Sequence, residues 1–174
     1  GVLPIELADR VVNTHHRLNE RLNVRYDDFI RTTEPRHRIG VLERGALVQV
    51  GTPQQIYREP VNAYVAARLG SPRINLLPRA AVGELKAPSA AATIGVRPDA
   101  TRLTWANGHD DGHVKAQVRR VEHLGDQINV HMALGEHELI TLCHDATGLE
   151  PGRSVSVQFT APLFFDAAGQ RITA

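Results

Sequence analysis

The residues of this 174-residue sequence whose types could do chemistry lie in a few short stretches. Gly148-Leu149-Glu150-Pro151-Gly152-Arg153-Ser154 comes nearest to a phosphate-cradling loop, in which glycine amides and a lysine hold nucleotide phosphates. It is one residue short of G-x-x-x-x-G-K-[ST] and carries Arg where that loop has Lys. It also precedes a strand pattern, whereas a phosphate loop joins a strand to a helix. Gly-Lys occurs nowhere in the chain. The stretch is read as a turn, and no ATP hydrolysis is expected of this chain. His109-Asp110-Asp111-Gly112-His113 gathers nitrogen and oxygen ligands, but a structural zinc site draws on sets of Cys and His, and there is a single Cys. This segment is read as a polar loop tip, and His15-His16 as an exposed helix start. Cys143-His144 lacks the third group and the oxyanion site that nucleophilic catalysis needs, so Cys143 is read as a buried small hydrophobe. Neither a metal site nor a cofactor is expected.

Two polar stretches suit binding better. In Arg97-Pro98-Asp99 the guanidinium could pair with an acidic partner or an anion, set against a plainer reading as a strand-ending turn capped by Asp99. In Glu122-His123-Leu124-Gly125-Asp126-Gln127, Gly125 meets a backbone demand, and Glu122, Asp126 and Gln127 are rim residues for a ligand or subunit contact. The plainer reading there is a bulge between two strands.

The elements that must position these groups are mostly strands. Residues 39–60 predict strand, tight turn at Glu43-Arg44-Gly45, strand, then a helix with Thr52 as N-cap, Pro53 at its first position and Gln55 at capping-box spacing. Ile56 and Tyr57 should face inward, and Glu59-Pro60 ends the helix. Val61–Leu69 predicts a second short helix with Asn62 as cap, ended by Gly70-Ser71-Pro72. Strands are expected at Ile74–Leu77, somewhere in Ala80–Thr93, and at Ala92–Val96. Val114, Ala116, Val118 and Val121 nearly alternate. Ile128, Val130 and Met132 oppose Asn129 and His131, the pattern of a half-buried strand. Gly135-Glu136 is a hairpin turn before the strand Leu139–Cys143, and Val155, Val157 and Phe159 alternate after the turn at Leu149–Gly152. Strands recurring with such turn signals indicate a barrel or sandwich. Residues 1–38 fit none of this. Within them Leu18, Leu22, Tyr26 and Phe29 share one helical face, either a docking helix or a rearranged N-terminus without a dedicated role.

Composition narrows the function. With 42% hydrophobic and 22% charged residues the chain is of soluble globular type. A net charge of +1 and only 5% aromatic residues leave little footprint for nucleic acid, so none is expected as a partner. One Cys rules out an intrachain disulfide and suits a reducing cytosol. No apolar run approaches the roughly 20 residues of a membrane span.

Several of these stretches, taken in order, resemble the ATP-binding subunits of ABC importers of the maltose, glycerol-phosphate and polyamine type. The strand–glycine turn–strand ending Gln49-Val50-Gly51-Thr52-Pro53, and the helix ending Tyr57-Arg58-Glu59-Pro60, are how that family leaves its nucleotide-binding domain. Val61–Pro78 is similar to its linker. Gly95-Val96-Arg97-Pro98-Asp99, Val118–Met132, PGRSVSVQF and Leu163–Ile172 follow in the family's order. Leu7–Val12 resembles the strand before the hairpin, but the likeness breaks at Asn13 and resumes at about Ile39. The family's Leu-Ser-Gly-Gly-Gln signature is absent, so no ATP-binding residue carries over. The resemblance implies a mainly β fold, an OB-like (TOBE) β-barrel with a short α/β N-terminal appendage. It implies an atypical segment at 1–38, the end of a nucleotide-binding domain at 39–70 and a TOBE-type regulatory domain at 71–174. It also implies a regulatory and dimerisation role, with a homodimer, ABC permease subunits and a small-molecule or protein effector as partners, at the cytoplasmic face of the membrane. On this reading Arg97, Asp99, Glu122, Asp126 and Gln127 are the residues for ligand or subunit contact. The alternative is an oxyanion- or small-molecule-binding OB-like module of the molybdate type.

Overall fold

The structure is a computed structural model that describes residues 38–83, 85–105, 114–125 and 127–173. The segment assigned to 1–38, the His109–His113 stretch and Asp126 therefore lie outside the described residues, apart from Arg38. The chain divides into two compact units, one ending at Arg73 and one beginning at Ile74.

In the first unit, β1 (Ile39–Glu43) and β2 (Ala46–Gly51) form a two-stranded antiparallel sheet. The loop between them is Arg44-Gly45, both with positive φ (49° and 80°). That backbone matches the twist of a two-residue hairpin, and Gly45 adopts it without strain. Helix α1 (Pro53–Arg58) begins with a complete capping box: Gln55 N–H donates to Thr52 Oγ1 at 3.2 Å, and Thr52 N–H donates to Gln55 Oε1 at 2.9 Å. Helix α2 (Ala63–Ala66) is capped by Asn62, whose Oδ1 accepts from Val65 N–H at 2.8 Å. Gln49 ties β2 to the segment between the helices, donating to Glu59 O at 2.8 Å and accepting from Val61 N–H at 3.0 Å. Tyr64 OH donates to Leu42 O at 2.8 Å, tying α2 to β1. Val41, Ile56, Val65 and Leu69 are the small core these bonds surround.

The second unit is built of two antiparallel sheets. β3 (Asn75–Pro78), β4 (Thr93–Val96), β10 (Leu163–Phe165) and β11 (Arg171–Ile172) form a four-stranded sheet in the order β11-β10-β4-β3. β5 (Thr101–Trp105), β6 (Val114–His123), β7 (Ile128–Leu134), β8 (His137–Cys143) and β9 (Ser154–Phe159) form a five-stranded one in the order β5-β9-β6-β7-β8. The larger sheet curls into a half-barrel whose edges are β5 and β8, so the unit is an OB-like, mainly β domain. Val96, Val118, Val130, Met132, Leu139 and Val155 are wholly buried in its core. At this core Gly95 has no room for a side chain, since a Cβ would stand 2.8 Å from the Phe165 ring and 3.0 Å from Ile74 Cδ1.

Four local expectations change. Ala80–Thr93 was expected to hold a strand or two, but Arg79–Val82 is a 3₁₀ turn and the strand begins only at Thr93. Ala is a poor strand former, and nothing in that stretch alternates. The bulge lies within β6 rather than at Glu122–Asp126: the β6–β7 register slips between Val118 and Arg120. The extra residue, Arg119, restores Val121 to the inner face three positions after Val118, which explains the imperfect alternation. Asn129 and His131, expected on an open face, are 8% and 9% exposed because charged neighbours cover them. Cys143 is half-buried rather than buried.

Candidate functional site

Three arrangements hold the polar residues of the second unit. The first is at the end of β4. Val96 leads into Arg97, which is buried at 5% exposure, and then into a 3₁₀ turn at Pro98–Ala100. The turn closes through Ala100 N–H to Arg97 O at 2.9 Å, and Asp99 is exposed on it. The Thr101 and Thr141 hydroxyls lie 2.9 Å and 3.1 Å from Pro98 O and also meet each other, so their two protons are shared among three contacts. This node joins the start of β5 to β8, although the two strands are not neighbours in the sheet. Beside it, the Asn75 carboxamide bridges the two sheets. Its Nδ2 donates to Val96 O at 3.0 Å and to Ile140 O at 2.8 Å, and its Oδ1 accepts from Ile140 N–H at 2.8 Å.

The second arrangement is a charged cluster on the outer face of the half-barrel. Antiparallel pairing sets Arg120 opposite His131 and Glu122 opposite Asn129, so that 120, 122, 129 and 131 share one face. Glu122 Oε2 lies 2.9 Å from His131 Nε2, and Glu138 Oε1 lies 3.1 Å from Nδ1. Arg120 completes the chain, with its guanidinium 2.8 Å from Glu122 Oε1. The hydrogen bond from His131 holds the Glu122 carboxyl below its ordinary range, against the opposing effect of desolvation and with help from Arg120. Gln127 stands at the hairpin tip, where its carbonyl accepts from Leu124 N–H at 2.9 Å and its side chain reaches Asn129 Oδ1 at 3.3 Å. Gly125 there has a φ of 92°, a left-handed position that favours glycine.

The third is a cleft of about 470 Å³ between the free edges of β5 and β8. Thr101, Leu103, Thr104, Leu142, Cys143 and Asp145 are among its lining residues. Thr147 donates to Asp145 Oδ1 from its hydroxyl at 2.6 Å and from its N–H at 2.8 Å, which keeps that carboxyl low. Burial, and then the nearby Asp145 charge, push the Cys143 thiol up, so it stays protonated and a weak nucleophile. Among the described residues no group of three or more His, Cys, Asp and Glu is placed to hold a metal ion.

The five residues singled out in the sequence thus fall in separate places. Arg97 and Asp99 lie at the β4 node, Glu122 and Gln127 at the outer cluster and hairpin tip, and Asp126 outside the described residues. Sequence reading passed over Asn75, Thr101, Thr141, Arg120 and Glu138, and took His131 only as a strand position. The one signal for the cluster was Arg120-x-Glu122, opposite charges two apart and so on one face of a strand.

Residues 94–163 match the sequence profile of the TOBE domain family. The lactose transport ATP-binding protein LacK of Rhizobium radiobacter is 28% identical over 98% of this chain and 54% of its own length. The sn-glycerol-3-phosphate import ATP-binding protein UgpC of Rhizobium meliloti is 34% identical over 78% of the chain and 42% of its own. UgpC 2 of Rhizobium johnstonii is 36% identical over 56% of the chain and 28% of its own. Among solved structures, the molybdate-bound, PEG-grown form of the cytoplasmic molybdate-binding protein ModG aligns with 40% of the chain and 55% of its own, at a TM-score of 0.35 and 22% identity. So partial a likeness does not extend to ligand or function.

Fold and profile together define a TOBE domain on an OB-like half-barrel. Over most of its length the chain is similar to the ATP-binding subunits of lactose and sn-glycerol-3-phosphate importers. It spans about half the length of the lactose relative and less of the two glycerol-phosphate relatives.

Proposed function

We propose that this chain is the regulatory and dimerisation portion of the ATP-binding subunit of an ABC solute importer, and that it does not itself hydrolyse ATP. The observation that carries the reading is the pairing, on one chain, of the capped hairpin–helix unit with a TOBE domain, in an alignment that runs across 98% of the chain to the lactose relative. The lack of a phosphate-cradling loop in the sequence supports the second half of it. As part of such a subunit it would act with permease subunits at the cytoplasmic face of the membrane. Among the described residues no helix is long and apolar enough to cross one, consistent with attachment through those partners. Arg97, Asp99, Glu122, Asp126 and Gln127 remain the proposed ligand or subunit contacts; of these, Asp99 is exposed and Glu122 is one-third open.

Light scattering over a concentration series, with and without ATP, phosphate, molybdate and candidate sugars, tests the proposal. The expected result is a dimer whose mass does not depend on ATP. A strict monomer stabilised by molybdate would replace this reading with an oxyanion-binding module. ATP hydrolysis by the purified chain would overturn the non-catalytic assignment.

A further inference from the structure

The free edges of the half-barrel have a definite hydrogen-bonding parity. Thr160 N–H donates to Ala100 O at 3.0 Å, which makes 100/160 a hydrogen-bonded pair continuing the β5–β9 ladder. Antiparallel pairs alternate, so Arg102 and Thr104 bond to β9 while the N–H and C=O of Leu103 point away from it. On β8, Ile140 spends its N–H and C=O on the Asn75 side chain and not on β7. By the same alternation Leu142, two residues on, also turns its N–H and C=O away from β7. Leu103 and Leu142 both line the cleft. Among the described residues no strand pairs with either edge.

We propose that this cleft accepts an uncharged, extended peptide segment of a partner protein, which adds as a strand between β5 and β8. The β8 edge already holds a group of the right kind. The Asn75 carboxamide donates to and accepts from Ile140 as a paired peptide unit would, and the equivalent groups of Leu142 open into the cleft one step further along. The Pro98–Thr101–Thr141 node closes the seam at one end, so a strand enters from the other. The volume, about 470 Å³, lies within the range of roughly 300–1,000 Å³ typical of binding clefts. Its walls set Leu103, Leu142 and Leu149 beside the hydroxyls of Thr104 and Thr147, matching a strand that alternates apolar and polar side chains. Its charged lining residues are Arg102 and Asp145, one of each sign, which suits a neutral segment and not a polyanion. Strand addition of this sort draws affinity from the main chain and specificity from alternate side chains. The inference deepens the regulatory role proposed above and rests on it for its setting, while the dimer does not depend on it.

The test uses the whole chain and a pool of capped short peptides that alternate threonine with randomised apolar residues. A second pool is N-methylated at every other residue. Amide hydrogen exchange should slow at Leu103 and Leu142 by about tenfold or more with the first pool only. Cys143 is the chain's single cysteine, so its alkylation by N-ethylmaleimide should slow in parallel, and prior alkylation should block binding. The proposal is overturned if no pool member binds below about 1 mM, if N-methylation makes no difference, or if protection falls outside β5 and β8. Protection that needs no peptide and grows with protein concentration would give the edge to a second copy, again overturning it. Light scattering on the same samples separates failure here from failure of the dimer.

Discussion

His131 shows how a residue's surroundings decide its part. Its ring is 11% exposed yet faces two carboxylates, while Arg120 and Glu138 are 63% and 69% exposed. The cluster therefore pins β6, β7 and β8 together from outside and leaves its outer charges in water. Because hydrogen bonding from His131 lowers the Glu122 pKa in the folded state, Glu122 stabilises the fold above its unfolded pKa and loses that contribution as pH falls through the folded one. The melting temperatures of the wild type and Glu122→Gln should accordingly differ at neutral pH and converge as the pH falls below 4.5, the ordinary value of the carboxyl. Parallel curves would mean that the contact contributes nothing through ionisation. Asn75 is the other position where one side chain acts at a distance, since its amide replaces a ladder step between sheets that share no strand pairing.

The strands of the second unit meet through positions with little tolerance. Gly95 sits in β4 against Phe165 of β10 and Ile74, in contacts too short for a methyl group. Gly95→Ala should destabilise by about 1–3 kcal/mol, the usual range for overpacking a tight core. Urea unfolding followed by far-UV circular dichroism would measure it; a neutral substitution would show that the sheet can slide to make room. The turns are equally specific. Asp166 gathers the N–H groups of Ala168 at 2.9 Å and Gln170 at 2.8 Å, shaping the hairpin between β10 and β11. Gly152 N–H donates to Val118 O at 2.8 Å, so the Pro151-Gly152 turn is fastened to β6 beside its bulge. The segment that superficially resembles a phosphate loop is thus a strand-binding turn.

Each of the two units has its own apolar cluster, which has a consequence for how they unfold. Residues 74–174 expressed alone should unfold in one cooperative transition, because their core and both sheets lie entirely within that span. A broad, non-cooperative melt would show that residues before Ile74 complete the domain. The same division suits the regulatory role proposed for this chain. It also confines the proposed peptide cleft to the TOBE-bearing unit, since every lining residue lies between 101 and 155.

Local chemistry alone determined the hairpin at Glu43–Ala46, the capping box at Thr52 and the strands whose alternation is unbroken, such as Val155, Val157 and Phe159. Those features depend on residues a few positions apart, and backbone propensity, capping and period-two burial are properties of short segments. The ordered series of motifs from Gln49 to Ile172 likewise pointed to the importer subunits, because it is carried by residue identity and spacing. What only the tertiary structure decided is everything that depends on register between distant strands. The bulge at Arg119 appears only when β6 meets β7. The burial of His131 depends on Glu122 and Glu138 arriving from two other strands, and Asn75 finds Ile140 across 65 positions. The cleft has the same origin: which edges stay unpaired follows from the sheet order, and one-dimensional periodicity does not encode which strand ends up at an edge.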